Sequence, residues 1–544
     1  MQIEGMYATV IDYINELKTN HEQKIRELQI KYEQQNEEIK VLREYQYKYL
    51  ELKERYDLLV YKRFVRSAEQ IPFDDKQQLL FTPEAEPVEI PAEEETAEKT
   101  AVASYTRSKR GRKPIDSKIR RVERILDIPE EEKNCACGAK LTRIGEETSE
   151  KLVIIEPQIY VDHIIRPKYA CPCCEGTEDE DKPTVRIAAV EPTMIPRSIA
   201  SPSLLSWILT HKFEDHLPYY RQEKQFERIG VDISRQDMSN WQHHVYQKLS
   251  PIFERLKETV KSGPVIQMDE TSVPVMSGIK HGKEPINKEE YTADIHTGWM
   301  WLARGGPPGK KVVWYEYQES RAGKHAKEFL EGYSGYLQTD GYEGYNAAVK
   351  DRPEIIHVGC FAHSRRKFFE ASKAVKNCKS AEEGIKHIRK LYKLEDDLRG
   401  QNLQEEAFVE QRNRLAGSIL KDFKSWLLKR TEEVSPTSLM GTAVNYTLNQ
   451  WEKMTSYLGS YHLTPDNNAC ENAIRPFVIG RKNWLLCGSP EGARSSCGIY
   501  SLIETAKQNG HVPAHYLRAL FEKAPYAFSA EDWEKLLPWN IFLS

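Results

Sequence analysis

Three acidic residues stand where a metal-carboxylate centre would draw its ligands. Asp269 lies in the apolar, strand-like run Val265-Ile-Gln-Met-Asp-Glu-Thr-Ser-Val-Pro-Val275, and Asp340 ends Gly335-Tyr-Leu-Gln-Thr-Asp340 just ahead of a glycine. Glu471 falls in Asp466-Asn-Asn-Ala-Cys-Glu471-Asn-Ala-Ile-Arg475. On a helix Glu471 and Arg475 share a face, so an inward carboxylate would have a cation beside it. Three such acids can hold two Mg²⁺ or Mn²⁺ ions roughly 4 Å apart, one activating the attacking oxygen of a phosphodiester exchange and one stabilising the leaving oxygen. Any one of these acids alone reads as a surface carboxylate. Their joint placement, two at strand ends and one on a later helix, is what points to a centre.

A second set of candidate ligands is sulfur. Five of the ten cysteines fall between Cys135 and Cys174, as Cys135-Ala-Cys137 and, about 35 residues on, Cys171-Pro-Cys173-Cys174. Each group sits in a Gly- or Pro-bearing turn, which suits one tetrahedral, structural Zn²⁺ held by Cys135, Cys137, Cys171 and Cys174, with Cys173 as the alternative fourth ligand. A closed four-thiolate site leaves no position open for catalysis. Elsewhere the cysteines are too dilute for a disulfide scaffold, which fits a reducing, cytoplasmic setting.

The elements that must position these groups form a multidomain α+β chain. Its 544 residues ask for three or more units. Residues 1–70 form a helix for coiled-coil dimerisation, with apolar or aromatic residues at Ile11, Ile14, Ile25, Leu28, Tyr32, Ile39, Leu42, Tyr49, Tyr56 and Val60. The alternative is a single amphipathic helix folded onto its own chain. Residues 71–127 are a linker: seven glutamates between Glu84 and Glu98 give way to a basic run from Arg107 to Arg124. Within it, Lys109-Arg-Gly-Arg-Lys-Pro114 is AT-hook-like, with Arg110 and Arg112 suited to a narrow minor groove; a solvated basic linker is the competing reading. Residues 128–185 are the zinc-binding β unit.

Residues 186–255 read as a helix-turn-helix-like DNA-binding domain. Leu204, Leu205, Trp207 and Ile208 make the apolar face of its first helix, Tyr219 to Ile229 form a second ending at Gly230, and a third is capped by Ser234 with Asp237 as capping-box partner. That last helix would present Arg235, Gln236, Ser239 and Asn240 to a major groove. The catalytic domain occupies 256–375 and 456–510, interrupted by a helical insertion over 376–455 and followed by a C-terminal segment, 511–544. Strands are expected at 265–275, 291–303, 312–317, from Gly335 and over 355–363, with helices over 324–330 and 364–369. Three strands, helix, strand, helix, strand is the order of a ribonuclease-H-like α/β core. In such a core the first and fourth strands are neighbours, bringing Asp269 and Asp340 together.

At this point the chain resembles transposases of the insertion sequence 66 family, of the DDE class. The matching segments are MDET (268–271), TDGYEGY (339–345), CFAHSRRKF (360–368), DNNACENAIRPFVIGRKNWLLCGS (466–489), SLIETAKQNG (501–510), LLPWN (536–540) and HLPYYRQ (216–222), so the likeness spans nearly the whole chain. The resemblance implies Asp269, Asp340 and Glu471 as the triad. It also implies Cys360 and His363 as a C-x-x-H element supporting it, and accessory proteins from the same element. Arg365, Arg366, Lys367, Arg475, Arg481 and Lys482 would supply a phosphate-gripping surface on the element ends and target DNA. Trp484, flanked by Leu485 and Leu486, reads as core before it reads as a base-stacking ring.

Two other functions fit parts of the pattern. A ribonuclease-H-like nuclease that only hydrolyses has no need of the zinc and helix-turn-helix units. A non-catalytic DNA-binding or regulatory descendant would be expected to have lost one of the carboxylates, and none is missing. No apolar run approaches the ~18 residues that span a bilayer, so no membrane partner is expected. With 78 basic against 82 acidic side chains, overall charge argues for no class of partner.

Overall fold

The computed structural model describes residues 2–64, 159–170, 185–276, 295–374 and 378–543. The acidic linker, the AT-hook-like patch with Arg110 and Arg112, and the thiols of Cys135, Cys137, Cys171 and Cys174 lie outside the described residues. The chain divides into a unit comprising residues 1–85 and 191–544 and a smaller unit, 86–190. Among the described residues no helix is long and apolar enough to cross a membrane.

Helix α1 (Gln2–Phe64) runs unbroken for 63 residues, about 95 Å at 1.5 Å per residue. Pairs such as Glu44–Lys48 at 2.8 Å and Glu51–Arg55 at 2.5 Å support it locally. Leu28, Tyr32, Leu42 and Tyr49 are each at least 60% exposed, so this stretch of the stripe expected at a seam is uncovered among the described residues. Among the described side chains the last turns dock: Glu54 accepts the Leu439 N–H at 3.1 Å, and Lys62 pairs with Glu370 at 2.6 Å. The C-terminal turns thus pack on the helices of their own chain. In the smaller unit β1 (Lys168–Ala170) pairs antiparallel with β2 (Val185–Ile187).

The larger unit continues with α2 (Pro202–Phe213), α3 (Tyr219–Arg228), α4 (Arg235–Lys248) and α5 (Ser250–Lys261). Leu205, Ile208, Leu209 and Phe213 are buried, whereas Trp207, expected on that face, is 40% exposed and lies against His211. Gly230 closes α3 at φ 79°, a left-handed turn that costs glycine little. Ser234 caps α4 as expected, its Oγ accepting the Asp237 N–H at 3.1 Å. The Asp237 carboxylate accepts the Ser234 hydroxyl at 2.6 Å rather than the backbone N–H of a full capping box.

The sheet contains β3 (Val265–Met276), β4 (Ile295–Gly305) and β5 (Val312–Gln318), then, after α6 (Gly323–Phe329), β6 (Gly335–Gln338), and after α7 (Glu343–Val349), β7 (Ile355–Val358). The strand order is β5-β4-β3-β6-β7; the first two pairings are antiparallel and the last two parallel. β7 stops at Val358 rather than running to residue 363, because Phe361 already opens α8 (Phe361–Ala374). A short apolar run does not distinguish strand from helix start. His363 and Arg366 therefore project from one helix.

Four helices follow, α9 (Lys379–Arg399), α10 (Glu405–Glu433), α11 (Leu439–Asn449) and α12 (Trp451–Thr455). With α8 they share a second hydrophobic core around Phe368, Phe423, Leu427 and Trp451, separate from the core of the sheet. The chain returns with α13 (Asn468–Trp484), α14 (Pro490–Gln508), α15 (Pro513–Lys523) and α16 (Ala530–Lys535). α14 covers the open edge of the sheet: Ser501 and Thr505 hydroxyls accept the N–H groups of Tyr315 and Val313 at 2.9 and 3.1 Å.

Candidate active site

Register brings the first two acids level. β3 and β6 pair in parallel up to Gln267 opposite Gln338, and two residues beyond on each strand stand Asp269 and Asp340. A polar ladder beneath them holds that register. Arg304 donates to the Gln267 side-chain oxygen Oε1 at 2.8 Å, Gln267 to the Gln338 side chain at 2.8 Å, and Gln338 to the Thr464 backbone oxygen at 2.8 Å. Asp340 stands just past the end of β6 as expected, but Asp269 is not at a strand end, because β3 stays paired with β4 out to Met276. Asp269 accepts the Glu270 N–H at 2.8 Å, and Asp340 that of Tyr342 at 2.9 Å. Both aspartates are half-buried.

Glu471 arrives on the first turn of α13 and is 2% exposed. Neither of its carboxylate oxygens has a hydrogen-bond partner. His363 Nδ1 lies 3.7 Å from one of them and an Arg366 nitrogen 3.8 Å from the other. Burial pushes the Glu471 pKa up to about 7, against the pull of the Arg366 charge. Burial holds His363 down at about 4, so the imidazole is neutral near pH 7 and the contact is not an ion pair. Asp269 is raised well above the ordinary carboxylate range, first by burial and then by the negative charges of Glu270, Glu471 and Asp340. A buried carboxylate without a proton donor is what a cation ligand looks like before its cation arrives.

The three acids are not drawn together as tightly as a loaded metal site requires. Among the described residues, the one group of three Cys, His, Asp or Glu side chains whose donor atoms all lie within 4.8 Å of one another is Cys360, His363 and Glu471. The C-x-x-H element thus lies directly against the third acid. Cys360 Sγ accepts the Asn467 N–H at 3.3 Å, and burial raises its pKa well above the usual thiol value, so it serves there as a neutral thiol.

Several residues around the acids escaped the sequence reading. Glu270, one residue past Asp269 on β3, receives the Arg321 guanidinium at 2.6 and 2.8 Å and the Tyr345 hydroxyl. Arg321 in turn lies 4.0 Å from the Tyr342 ring centroid and 5.1 Å from that of Trp299. Strand alternation sends Glu270 to the opposite face from Asp269, the one signal that could have separated their roles. Glu270→Ala leaves Arg321 and Tyr345 without their acceptor; we expect a loss of about 2 kcal/mol in urea unfolding, below the figure for a fully buried pair because Arg321 is part-exposed. A loss under about 0.5 kcal/mol would make the bracket incidental. Asn467, 1% exposed, was also missed; its side chain donates to the Met268 backbone oxygen at 3.1 Å, tying the start of α13 to the Asp269 strand.

The expected DNA contacts are distributed over three helices. Arg235, Gln236 and Asn240 are exposed on α4, with Gln236 donating to Asn240 at 3.0 Å. Arg365, Arg366 and Lys367 lie half-buried on α8, with Lys367 4.8 Å from the Tyr446 ring centroid. On α13 Arg475 is half-buried and Lys482 exposed. Arg481 is turned inward: its guanidinium donates to the Ser272 backbone oxygen and lies 3.4 Å from the Thr271 hydroxyl, binding α13 to β3. Trp484 packs on Phe477 beside the main core, as its core reading requires.

Residues 197–495 match the transposase IS66 family, and residues 501–539 the IS66 C-terminal element. Residues 132–175, which include all four expected zinc thiolates, match the zinc-finger binding domain of transposase IS66. Residues 51–124 match the family described as transposase C of IS166 homeodomain. The uncharacterized protein y4qI of Sinorhizobium fredii (strain NBRC 101917 / NGR234) is 31% identical over 447 residues, covering 80% of this chain and 78% of its own. A second uncharacterized protein of that strain, y4hP, is 28% identical over 473 residues, covering 83% of this chain and 81% of its own. With more than half of its length matched by the central domain alone, this chain belongs to the IS66 family of transposases.

Proposed function

We propose that this protein is a DNA transposase with a ribonuclease-H-like catalytic core, which cuts the 3′ ends of its own element and joins them to target DNA. The observation that carries the reading is Glu471: a fully buried carboxylate without a hydrogen-bond donor, on a helix laid against β3, whose mid-strand Asp269 is level with Asp340 just past the end of the parallel neighbour β6. Asp269, Asp340 and Glu471 would hold two Mg²⁺ or Mn²⁺ ions, the unsatisfied oxygens of Glu471 being the fit for a hard cation. Bound there, the ions would supply Lewis-acid stabilisation of the attacking and leaving oxygens.

The rest is the work of the chain itself. The zinc finger, with a structural Zn²⁺ on Cys135, Cys137, Cys171 and Cys174, and the exposed face of α4 bind the terminal inverted repeats. The uncovered stripe of α1 pairs two copies and so two ends, and accessory proteins of the element join the assembly. Arg110 and Arg112 add minor-groove contacts, and Arg365, Arg366, Lys367, Arg475 and Lys482 grip phosphates near the acids. Hydrolysis breaks one phosphodiester and frees a 3′ hydroxyl. That hydroxyl attacks a target phosphorus, forming one P–O bond as another breaks, so no external energy source is needed. His363, neutral beside Glu471, adds no charge that would compete for the carboxylate.

The test is transposition in cells from a donor plasmid carrying the element's own ends and accessory genes. Wild type is expected to mobilise the marker, and Asp340→Asn to reduce mobilisation to background while the purified variant still retards end DNA in gels. Equal mobilisation by the variant would remove Asp340 from the centre.

A further inference from the structure

The helical insertion has no part in a three-carboxylate mechanism, yet its buried charges sit against the segment that delivers Glu471. Glu395 on α9 is 6% exposed and Arg412 on α10 is completely buried. Arg412 Nη1 bonds Glu395 at 3.3 Å and the backbone oxygen of Leu463 at 3.1 Å, and its Nη2 donates to the backbone oxygen of Ser460. Arg399, one turn after Glu395, bonds the same carboxylate at 3.1 Å and donates to the backbone oxygens of Tyr461 at 2.6 Å and Leu463 at 3.0 Å. Rings flank both guanidiniums: Arg399 lies 4.5 Å from the centroids of Phe408 and Tyr461, and Arg412 4.9 Å from that of Phe408.

A buried ion pair of this kind gives little net stability over an apolar replacement, so its location matters more than its strength. The carbonyls it captures belong to residues 460–463, which have no regular structure of their own. The next residues are captured from the other side. Thr464 O accepts from Gln338 of β6, Pro465 O from the Phe361 N–H that opens α8, and Asn467 reaches Cys360 and β3. Asn468 then begins α13, and Glu471 follows within its first turn. The segment is thus a strap with one half fastened to the insertion and the other to the strands that carry Asp269 and Asp340.

We infer that the helical insertion is a positioning device for the catalytic metal site: Arg399 and Arg412, oriented by Glu395, clamp the strap at residues 460–463 and thereby set where Glu471 stands relative to the two aspartates. The inference rests on the metal-carboxylate reading above. Arg399, Arg412 and Glu395 touch neither metal nor DNA and act only through the strap. A clamp of this kind should be read in metal affinity, since groups that orient ligands alter affinity roughly 10- to 100-fold.

The experiment is Mn²⁺ binding to the full-length protein, followed by the electron paramagnetic resonance signal of free Mn²⁺, with thermal unfolding measured on the same samples. Arg399→Ala, which leaves the Glu395–Arg412 pair in place, is expected to weaken Mn²⁺ binding roughly tenfold and Arg399→Lys to recover part of it. End cleavage by the alanine variant should return towards wild type at saturating Mn²⁺. A control, His387→Ala, perturbs the insertion's own core, where His387 stacks on Phe423 at 5.1 Å, and is expected to lower the unfolding temperature with wild-type Mn²⁺ affinity. Wild-type affinity in Arg399→Ala, or an equal loss in His387→Ala, would overturn the clamp alone. Mn²⁺ binding indifferent to Glu471→Gln would overturn the metal reading, and the clamp with it.

Discussion

Glu471→Gln should abolish end cleavage while leaving the protein folded and able to bind its DNA. The substitution keeps size and shape and removes only the charge. Its expected cost is a rate loss of roughly a thousandfold or more, about 4 kcal/mol in the barrier, the scale on which charge stabilisation of a transition state is lost. The same change removes a carboxylate that is 2% exposed and has no hydrogen-bond donor. An amide there no longer carries a buried charge, so the metal-free protein should unfold at higher urea concentration than wild type near neutral pH. Activity lost with stability gained is the signature of a ligand, because a structural carboxylate would lose both. A variant that cleaves at the wild-type rate, or that is less stable than wild type, would show that Glu471 serves the fold.

Much of this arrangement was legible in the sequence, and what was hidden has a common physical cause. Strand and helix periods located β3 to β6 within a few residues, because each buried strand reads as an apolar run between turn residues. The Ser234 cap and the Gly230 turn were legible because their geometry depends on one or two residue types. The boundary between β7 and α8 was not, since Phe361-Ala-His363 suits either state; in the structure the Phe361 N–H goes to Pro465 O, a residue remote in sequence. Trp207 was assigned inward from its apolarity and faces outward, packed on His211. The clamp was invisible for a different reason. Glu395 and Arg412 look like any surface charges on two polar helices, and what distinguishes Arg412 is its bonds to backbone oxygens some 50 residues away. Glu270 was hidden by its neighbour, since in Asp269-Glu270 composition cannot say which acid faces the site.

The pH dependence of the metal-free protein supplies the second large effect, because Glu471 and His363 are displaced in opposite directions from their ordinary values. Glu471 rises from 4.5 to about 7, so between those values the native state holds a proton that the unfolded chain has released. Its contribution to stability is therefore full below pH 4.5 and is lost as pH rises to 7, about 3 kcal/mol in all at 1.36 kcal/mol per pKa unit. Asp269, also raised, acts in the same sense. His363 falls from 6.5 to about 4, so its burial costs nothing above pH 6.5 and destabilises progressively as pH drops towards 4. The pair is thus most at ease with a protonated acid beside a neutral imidazole, in mildly acidic solution. Urea unfolding in magnesium-free buffer should show wild type losing stability between pH 5.5 and 8, with most of that slope gone in Glu471→Gln. Mg²⁺ reverses the sign, since it binds only the ionised carboxylate: affinity and cleavage should climb through about pH 7, approaching tenfold per unit below it. Parallel slopes for wild type and Glu471→Gln would mean that the carboxylate is ionised throughout. Its burial would then be compensated by the Arg366 and Arg475 charges, and the centre would lack the strained acid on which metal capture depends.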